Sequence, residues 1–314
     1  MTTFEGCTFK SNGKSNYNGI NIWGSAKMVN TNFEFDGSVD NEWIDPISAD
    51  KTYEFTGCTI NGGTIFSSFY FSPRDVNTDI TIDGTLYEDY ANVTYLASPK
   101  DMTWFADKVN IEKNSYNGKT VKVTADIDLA NVAWTPVGQT GATTFNGVFD
   151  GQNYTISNLN VDSDAQTGAH YSSGLFGWVE SHTAGHGHIK NVKIAGATIK
   201  GHHNCGALVG YITQETALVE NCHVTGAAVT CTKANNDADG DKAGALIGNA
   251  TVATPVKNCT AANSTVSAGR DAGQVIGAGR EANVTGCSAT NVSVEANGTG
   301  TGNNVRNEVI GRLL

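Results

Sequence analysis

Asn191-Val-Lys-Ile, Asn221-Cys-His-Val, Asn258-Cys-Thr-Ala and Gly286-Cys-Ser-Ala read as one pattern written four times. Each is followed by a second pattern: Ala207-Leu-Val-Gly, Ala245-Leu-Ile-Gly, Gln274-Val-Ile-Gly and Glu308-Val-Ile-Gly. Asn158-Leu-Asn-Val, then Gly174-Leu-Phe-Gly, reads as an earlier copy. A period of roughly 30 residues marks a stacked array in which each copy is one supersecondary unit. Apolar residues alternate within a copy, as in Val192, Ile194, Ile199 and Leu208. The equivalent sets are Cys222, Val224, Val229, Leu246; Cys259, Ala261, Val266, Val275; and Cys287, Ala289, Val294, Val309. Alternation over a few residues spells a short strand with one buried face. The Gly and Asn breaks come too often for helices. One copy cannot bury its apolar face alone, so the pattern predicts an all-β fold, a parallel β-helix whose coils stack.

Turn residues line up as well. Asn158, Asn191, Asn221, Asn258 and Gly286 form one column, and Gly177, Gly210, Gly248, Gly277 and Gly311 a second. Asn and Gly share easy access to the left-handed backbone region, so both columns are expected at corners. Stacked Asn side chains can hydrogen-bond as a ladder. Cys222, Cys259 and Cys287 stand where another copy has Val192, with Cys7 and Cys58 similarly placed nearer the N-terminus. They are expected as small buried side chains with free thiols, because a disulfide framework belongs to shorter chains.

These motifs carry a resemblance. Gly174-Leu-Phe-Gly and Gly206-Ala-Leu-Val-Gly, repeated with Asn-Cys strands, resemble the GLUG-motif repeats of bacterial surface proteins. Lys119-Thr-Val-Lys-Val-Thr-Ala-Asp-Ile-Asp-Leu, Trp134-Thr-Pro-Val-Gly and Phe145-Asn-Gly-Val-Phe-Asp-Gly are similar to the region that opens such arrays. The match spans about residues 92–314 and implies a parallel β-helix displayed outside the cell, with no catalytic residues. It also implies further domains of a longer chain.

Residues 91–314 are therefore expected as the GLUG-type β-helix, opened by a short capping α-helix near residues 98–110. Ser98 suits its N-cap, Pro99 its first position and Asp101 its third. Met102, Phe105, Ala106 and Val109 fall on one face, as a lid over the end of the stack requires. Residues 1–90 are expected as a weaker N-terminal β-solenoid segment, in which Cys7-Thr-Phe, Asn32-Phe-Glu-Phe, Cys58-Thr-Ile and Ile80-Thr-Ile recur at 22- to 26-residue spacing.

Charge narrows the function. The formal net charge is -11 and only 16% of residues are charged. An acidic surface is wrong for nucleic acid and for a polybasic membrane anchor. No apolar run reaches transmembrane length, so no membrane insertion is expected of this segment. No basic-then-apolar leader opens the sequence, and Phe4-Glu-Gly-Cys-Thr-Phe already reads as a strand, so the chain is expected to be a piece of a longer protein.

Four kinds of site are candidates. Trp23, Trp43 and Tyr70 lie outside the inward columns and could stack on sugar rings of a glycan or meet a surface-protein ligand. Asn235, Asp237, Asp239 and Asp241 resemble the first half of a calcium loop, but Leu246 stands where the bidentate Glu belongs. The seven histidines all lie between His170 and His223, where stacked loops could gather a transition-metal site. Gly185-His-Gly187 faintly resembles motifs of polygalacturonase-type hydrolases, but no paired carboxylates accompany it, and Asp126, Asp128 and Asp150 suit turns. The sequence thus favours a non-enzymatic, adhesin-like surface or secreted protein, with a structural spacer or a polysaccharide hydrolase or lyase as alternatives.

Overall fold

The computed structural model describes all residues except 12–17, 36–41, 47–50, 72–78, 89–90, 131, 166–170, 182–184, 215, 233–241, 252–253 and 297–303. It is all-β, with several parallel sheets, and Pro99–Asn110 is the one α-helix among the described residues. Two compact units emerge. The first is Met1–Met102 with Val121–Ala125; the second is Thr103–Thr120 with Asp126–Leu314.

The first unit is built from in-register strands rich in Thr and aromatic residues. Thr2–Glu5, Ala26–Val29, Thr52–Thr56 and Asp79–Ile82 pair in parallel, which places Phe4, Met28, Phe55 and Ile82 in one row. Thr8–Lys10, Asn32–Glu34 and Thr59–Ile60 form a second parallel set, with Phe9, Phe33 and Ile60 aligned. Each set closes on a short antiparallel strand, Thr85–Leu86 in the first and Gly63–Thr64 in the second. Such a reversal covers an edge that would otherwise template further pairing. Ile80-Thr-Ile belongs to the first set, against Tyr53 and Phe55, and not with Cys58-Thr-Ile as its spelling suggests. A bare apolar alternation does not say which sheet it serves.

In the second unit each successive repeat gives one strand to each of several parallel sheets. Val148–Asp150, His188–Lys190, Leu218–Glu220, Val256–Lys257 and Val284–Thr285 make one run. Phe176–Glu180, Val209–Thr213, Ile247–Ala250, Ile276–Gly279 and Ile310–Leu313 make another. Register converts the sequence columns into touching rows: Ile156, Ile194, Val224, Ala261 and Ala289 are consecutive partners. Val192, Cys222 and Cys259 are fully buried, and Cys287 is half-buried. All seven cysteines are free thiols.

Two column assignments change. Asn191, Asn221, Asn258 and Gly286 do share a left-handed turn, at φ 54°, 51°, 53° and 65°. Asn158 does not belong with them. Its strand partners place it beside Gly196, in a second left-handed column with Gly226, Asn263 and Asn291. Two turns with the same backbone demand look alike in sequence, so the spelling of the earlier copy points one strand away from its place in the stack. The expected ladder is present in part: Asn221 Nδ2 donates to Asn191 Oδ1 at 3.3 Å, and Asn191 Nδ2 to Asp150 Oδ1 at 2.9 Å.

The Gly177 to Gly311 column has no left-handed backbone. Its glycines answer crowding. A Cβ on Gly248 would stand 2.5 Å from the Cys205 backbone nitrogen and 2.6 Å from the Gly210 carbonyl oxygen. The chain there presses backbone on backbone, and only hydrogen fits between.

The helix forms as its sequence dictates. Ser98 Oγ accepts from the Asp101 backbone N–H at 3.2 Å, which satisfies one orphan donor of the first turn, and Asp101 Oδ2 accepts from the Ala97 N–H at 2.7 Å, which ties the chain entering the helix to it. Met102, Phe105, Ala106 and Val109 are buried. Within the second unit, Phe105 joins Tyr116, Phe145, Phe149 and Phe176 in a ring cluster with centroids 5.0 to 6.4 Å apart.

Candidate functional site

Of the aromatic candidates, Trp23 is the one in open solvent. It follows the strand Asn18–Ile22, precedes Gly24 at φ +73° and is 77% exposed. The positive φ at Gly24 turns the chain sharply after Trp23. Trp23 is among the residues that line a cavity of about 160 Å³ in the first unit, with Phe4, Phe9, Ile20, Met28 and Phe33. Phe9 stacks on Phe33 at 5.7 Å and meets Phe4 edge-on at 5.6 Å, so the floor is aromatic. Thr2 and Asn21 also line it, so its surface is about as polar as it is apolar. Aromatic side chains with a few polar groups are the usual lining of a small-ligand site.

Trp43 and Tyr70 do not line this cavity. Trp43 is half-buried. Its register partner is Gly19, and a Cβ there would lie 2.6 Å from the indole Nε1, so the ring lies across the glycine. Tyr70 is also half-buried. It stacks on Phe35 at 5.6 Å, meets Phe69 edge-on at 4.7 Å and has Lys100 Nζ 5.4 Å from its centroid. Both rings pack against neighbours. Phe4 and Phe9 were legible in the sequence as residues of a strand, but not as lining of a cavity.

The other candidates fare differently. Asn235, Asp237, Asp239 and Asp241 lie outside the described residues. Leu246, in the place of the missing calcium-loop Glu, is fully buried. The described histidines make separate contacts. His186 Nδ1 accepts from the Gly118 N–H at 2.9 Å, His188 Nε2 lies 3.0 Å from the Thr216 carbonyl oxygen, and His202 meets His203 edge-on at 5.1 Å. Among the described residues no three His, Cys, Asp or Glu side chains gather as a metal site would need.

Asp128 and Asp150 hold turns, and Asp126 ties its segment to the next repeat. Asp126 accepts from the Thr155 N–H at 2.7 Å, and Asp150 from the Gln152 N–H at 3.0 Å and Asn191 Nδ2 at 2.9 Å. Asp128 accepts from Asn158 Nδ2 at 2.8 Å and the Ala130 N–H at 2.9 Å. The Asn158 hydrogen bond, then that of Ala130, holds its carboxyl below the usual carboxylate range. In the first unit Asp101 moves the other way: burial raises it, against hydrogen bonds from Ser67, Ala97 and Ser98. No helix among the described residues is long and apolar enough to cross a membrane.

No family model and no curated protein matches this chain. A solved structure described as a putative immunoglobulin A1 protease from Bacteroides ovatus is similar at 16% identity and a TM-score of 0.44, over 71% of this chain and 83% of that one.

Proposed function

We propose that the chain is a non-catalytic contact module of the adhesin-like, GLUG-type kind, displayed outside the cell, whose repeats wind as a parallel β-helix. The observation that carries this reading is Trp23, a large indole left in water whose residue lines a cavity together with Phe4, Phe9 and Phe33. Leaving a Trp exposed forgoes about 2–3 kcal/mol of burial, a cost that a binding role offsets. An indole face accepts the C–H face of a pyranose ring, and Thr2 and Asn21 can hydrogen-bond its hydroxyls. The ligand class is therefore a glycan, held by stacking with few charges.

A glycan array probed with the 314-residue chain and with Trp23→Ala tests this. The native chain is expected to bind a defined set of sugars, and the variant to lose at least about tenfold in affinity, roughly the 1.4 kcal/mol of one stacking contact. Its melting temperature should not change, because the ring is exposed. Identical binding by both proteins would remove Trp23 from the site. No binding by the native chain would leave the spacer reading. That second reading is supported by the regular in-register rows of the second unit, which as stacked coils would add about 4.8 Å of length each.

A further inference from the structure

We propose that Cys287 is a thiol-modification site that takes small disulfides, with Cys259 as its resolving partner, so that the two close a cross-link between adjacent repeats. Cys222, Cys259 and Cys287 occupy the same position in consecutive repeats. The residues that follow them, His223, Thr260 and Ser288, are consecutive strand partners. Backbone bonds lock the register at the cysteines themselves: the Thr260 N–H donates to the Cys222 carbonyl and the Ser288 N–H to the Cys259 carbonyl, both at 3.1 Å. Each thiol also sits in the same local frame. Cys222, Cys259 and Cys287 donate to the carbonyls of Glu220, Lys257 and Thr285, at 3.2, 3.2 and 3.6 Å. The three sulfurs therefore form a file.

Spacing and access then distinguish the pairs. Neighbouring strands stand about 4.8 Å apart, inside the roughly 4.4–6.8 Å that a disulfide spans between Cα atoms, so closure needs only a slight lean of the two Cβ atoms. Cys222 and Cys259 are fully buried. Cys287 is half-buried and lines a cavity of about 270 Å³ with Val284, Gly286, Val309, Ile310 and Leu313. A reagent therefore meets Cys287 first. Glu281 and Glu308 line the same cavity, which favours a cationic disulfide such as cystamine over anionic oxidised glutathione.

The chemistry balances as two exchanges. The Cys287 thiolate attacks one sulfur of the small disulfide, forming a mixed disulfide and expelling one small thiolate, which takes up the proton that Cys287 lost. The Cys259 thiolate then attacks the Cys287 sulfur and expels the second small thiolate, which takes the Cys259 proton. Two protein thiols are oxidised, and one small disulfide is reduced to two thiols. Hydrogen bonding to the adjacent thiol, together with burial, raises the pKa of Cys287, and the Cys222 thiol leads in pushing Cys259 up to about 12. Exchange is therefore slow at neutral pH and quickens as pH rises.

The test treats the 314-residue chain with cystamine at mildly alkaline pH, followed by thiol titration after denaturation and peptide mapping. Cys7 is also half-buried, so it is replaced by Ser in every protein compared, and the Cys7→Ser chain is expected to lose two of its six remaining thiols, with Cys259 and Cys287 in one linked peptide pair and no cysteamine retained. Cys259→Ala should stop at the mixed disulfide on Cys287, and Cys287→Ser should keep all its thiols. Cystamine should react at least about tenfold faster than oxidised glutathione, and Glu281→Gln with Glu308→Gln should narrow that ratio. A stable cysteamine adduct on the Cys7→Ser chain, linkage of another pair, or no reaction under conditions that modify a free peptide thiol would each overturn the proposal.

Discussion

Phe33 in the first unit and Val224 in the second do the same job with different means. Both are fully buried and each is flanked in register by an inward residue on either side: Phe9 and Ile60 for the one, Ile194 and Ala261 for the other. The first unit fills its interior with rings that meet one another, Phe33 with Phe55 at 6.3 Å and Phe55 with Phe71 at 5.3 Å. The later rows of the second unit taper from Ile194 to Val224 to Ala261, and glycines let backbones close in. Large side chains tolerate irregular spacing because they reach across it. Small ones require every row to lie at the same height, since a gap of even an ångström forfeits much of the contact. The sequence reflects this: columns are clear from residue 191 onward and faint before residue 90.

The sharpest test of that contrast is a single methyl group. Gly248→Ala puts a Cβ against three backbone atoms, the nearest at 2.5 Å, with no flexible side chain able to yield. It should cost more than about 4 kcal/mol in chemical denaturation, or prevent folding of the second unit. Gly62→Ala in the first unit meets nothing within 4 Å and is opposed only by its φ of +79°. It should cost about 1–2 kcal/mol. Comparable losses for the two would show that the second unit does not depend on close backbone approach.

Side-chain volume gives the next effect. Phe33→Ala should cost about 3–5 kcal/mol through the cavity it leaves among rings, whereas Val224→Ala removes two methyl groups and should cost about 2 kcal/mol. Val224→Asp is a different matter, because it places a carboxylate in a dry row without a partner and should cost several kcal/mol. Lys193→Asp, on the exposed side of the neighbouring strand, should change the denaturation midpoint by no more than about 0.5 kcal/mol equivalent. Equal midpoints for Val224→Asp and Lys193→Asp would break the inward assignment of the row.

How far the sequence reaches follows from the same contrast. Repetition exposes a constraint, so the rows Ile194 to Ala289 and Ile199 to Val294 were readable before any coordinate. Residue type alone could not say why a glycine column exists. Gly177 to Gly311 looked like turns and proved to be close contacts. Nor could it separate two turns with one backbone requirement, which misplaced Asn158. The site was legible only as a residue. Trp23 stood out as an aromatic beyond the inward columns, but its cavity is made by Phe4, Phe9 and Phe33 from separate strands. Nothing in their local sequence marks a hollow, which depends on what fails to cover them.

The smallest expected difference between the units is in their response to acid. In the first unit Asp101 is buried, and its carboxyl is raised by that burial. A carboxyl whose pKa is higher in the folded chain than in the unfolded one, near 3.9, gives stability that is present below that value and is lost as pH rises through the folded one. In the second unit Asp128 and Asp164 are lowered, the first chiefly by the Asn158 hydrogen bond and the second by Lys200. Their contribution is present above about pH 4 and is lost as pH falls through the depressed values. Melting curves of the full chain should therefore show Asp101→Asn gaining on the native protein as pH climbs from about 3.5 toward 7. Asp128→Asn should trail the native protein at neutral pH and close the gap in acid. Parallel pH profiles for the two variants would mean that the buried carboxylate of the first unit is as well compensated by Ser67, Ala97 and Ser98 as the turn carboxylates are by their neighbours, and the contrast between the units would then rest on packing alone.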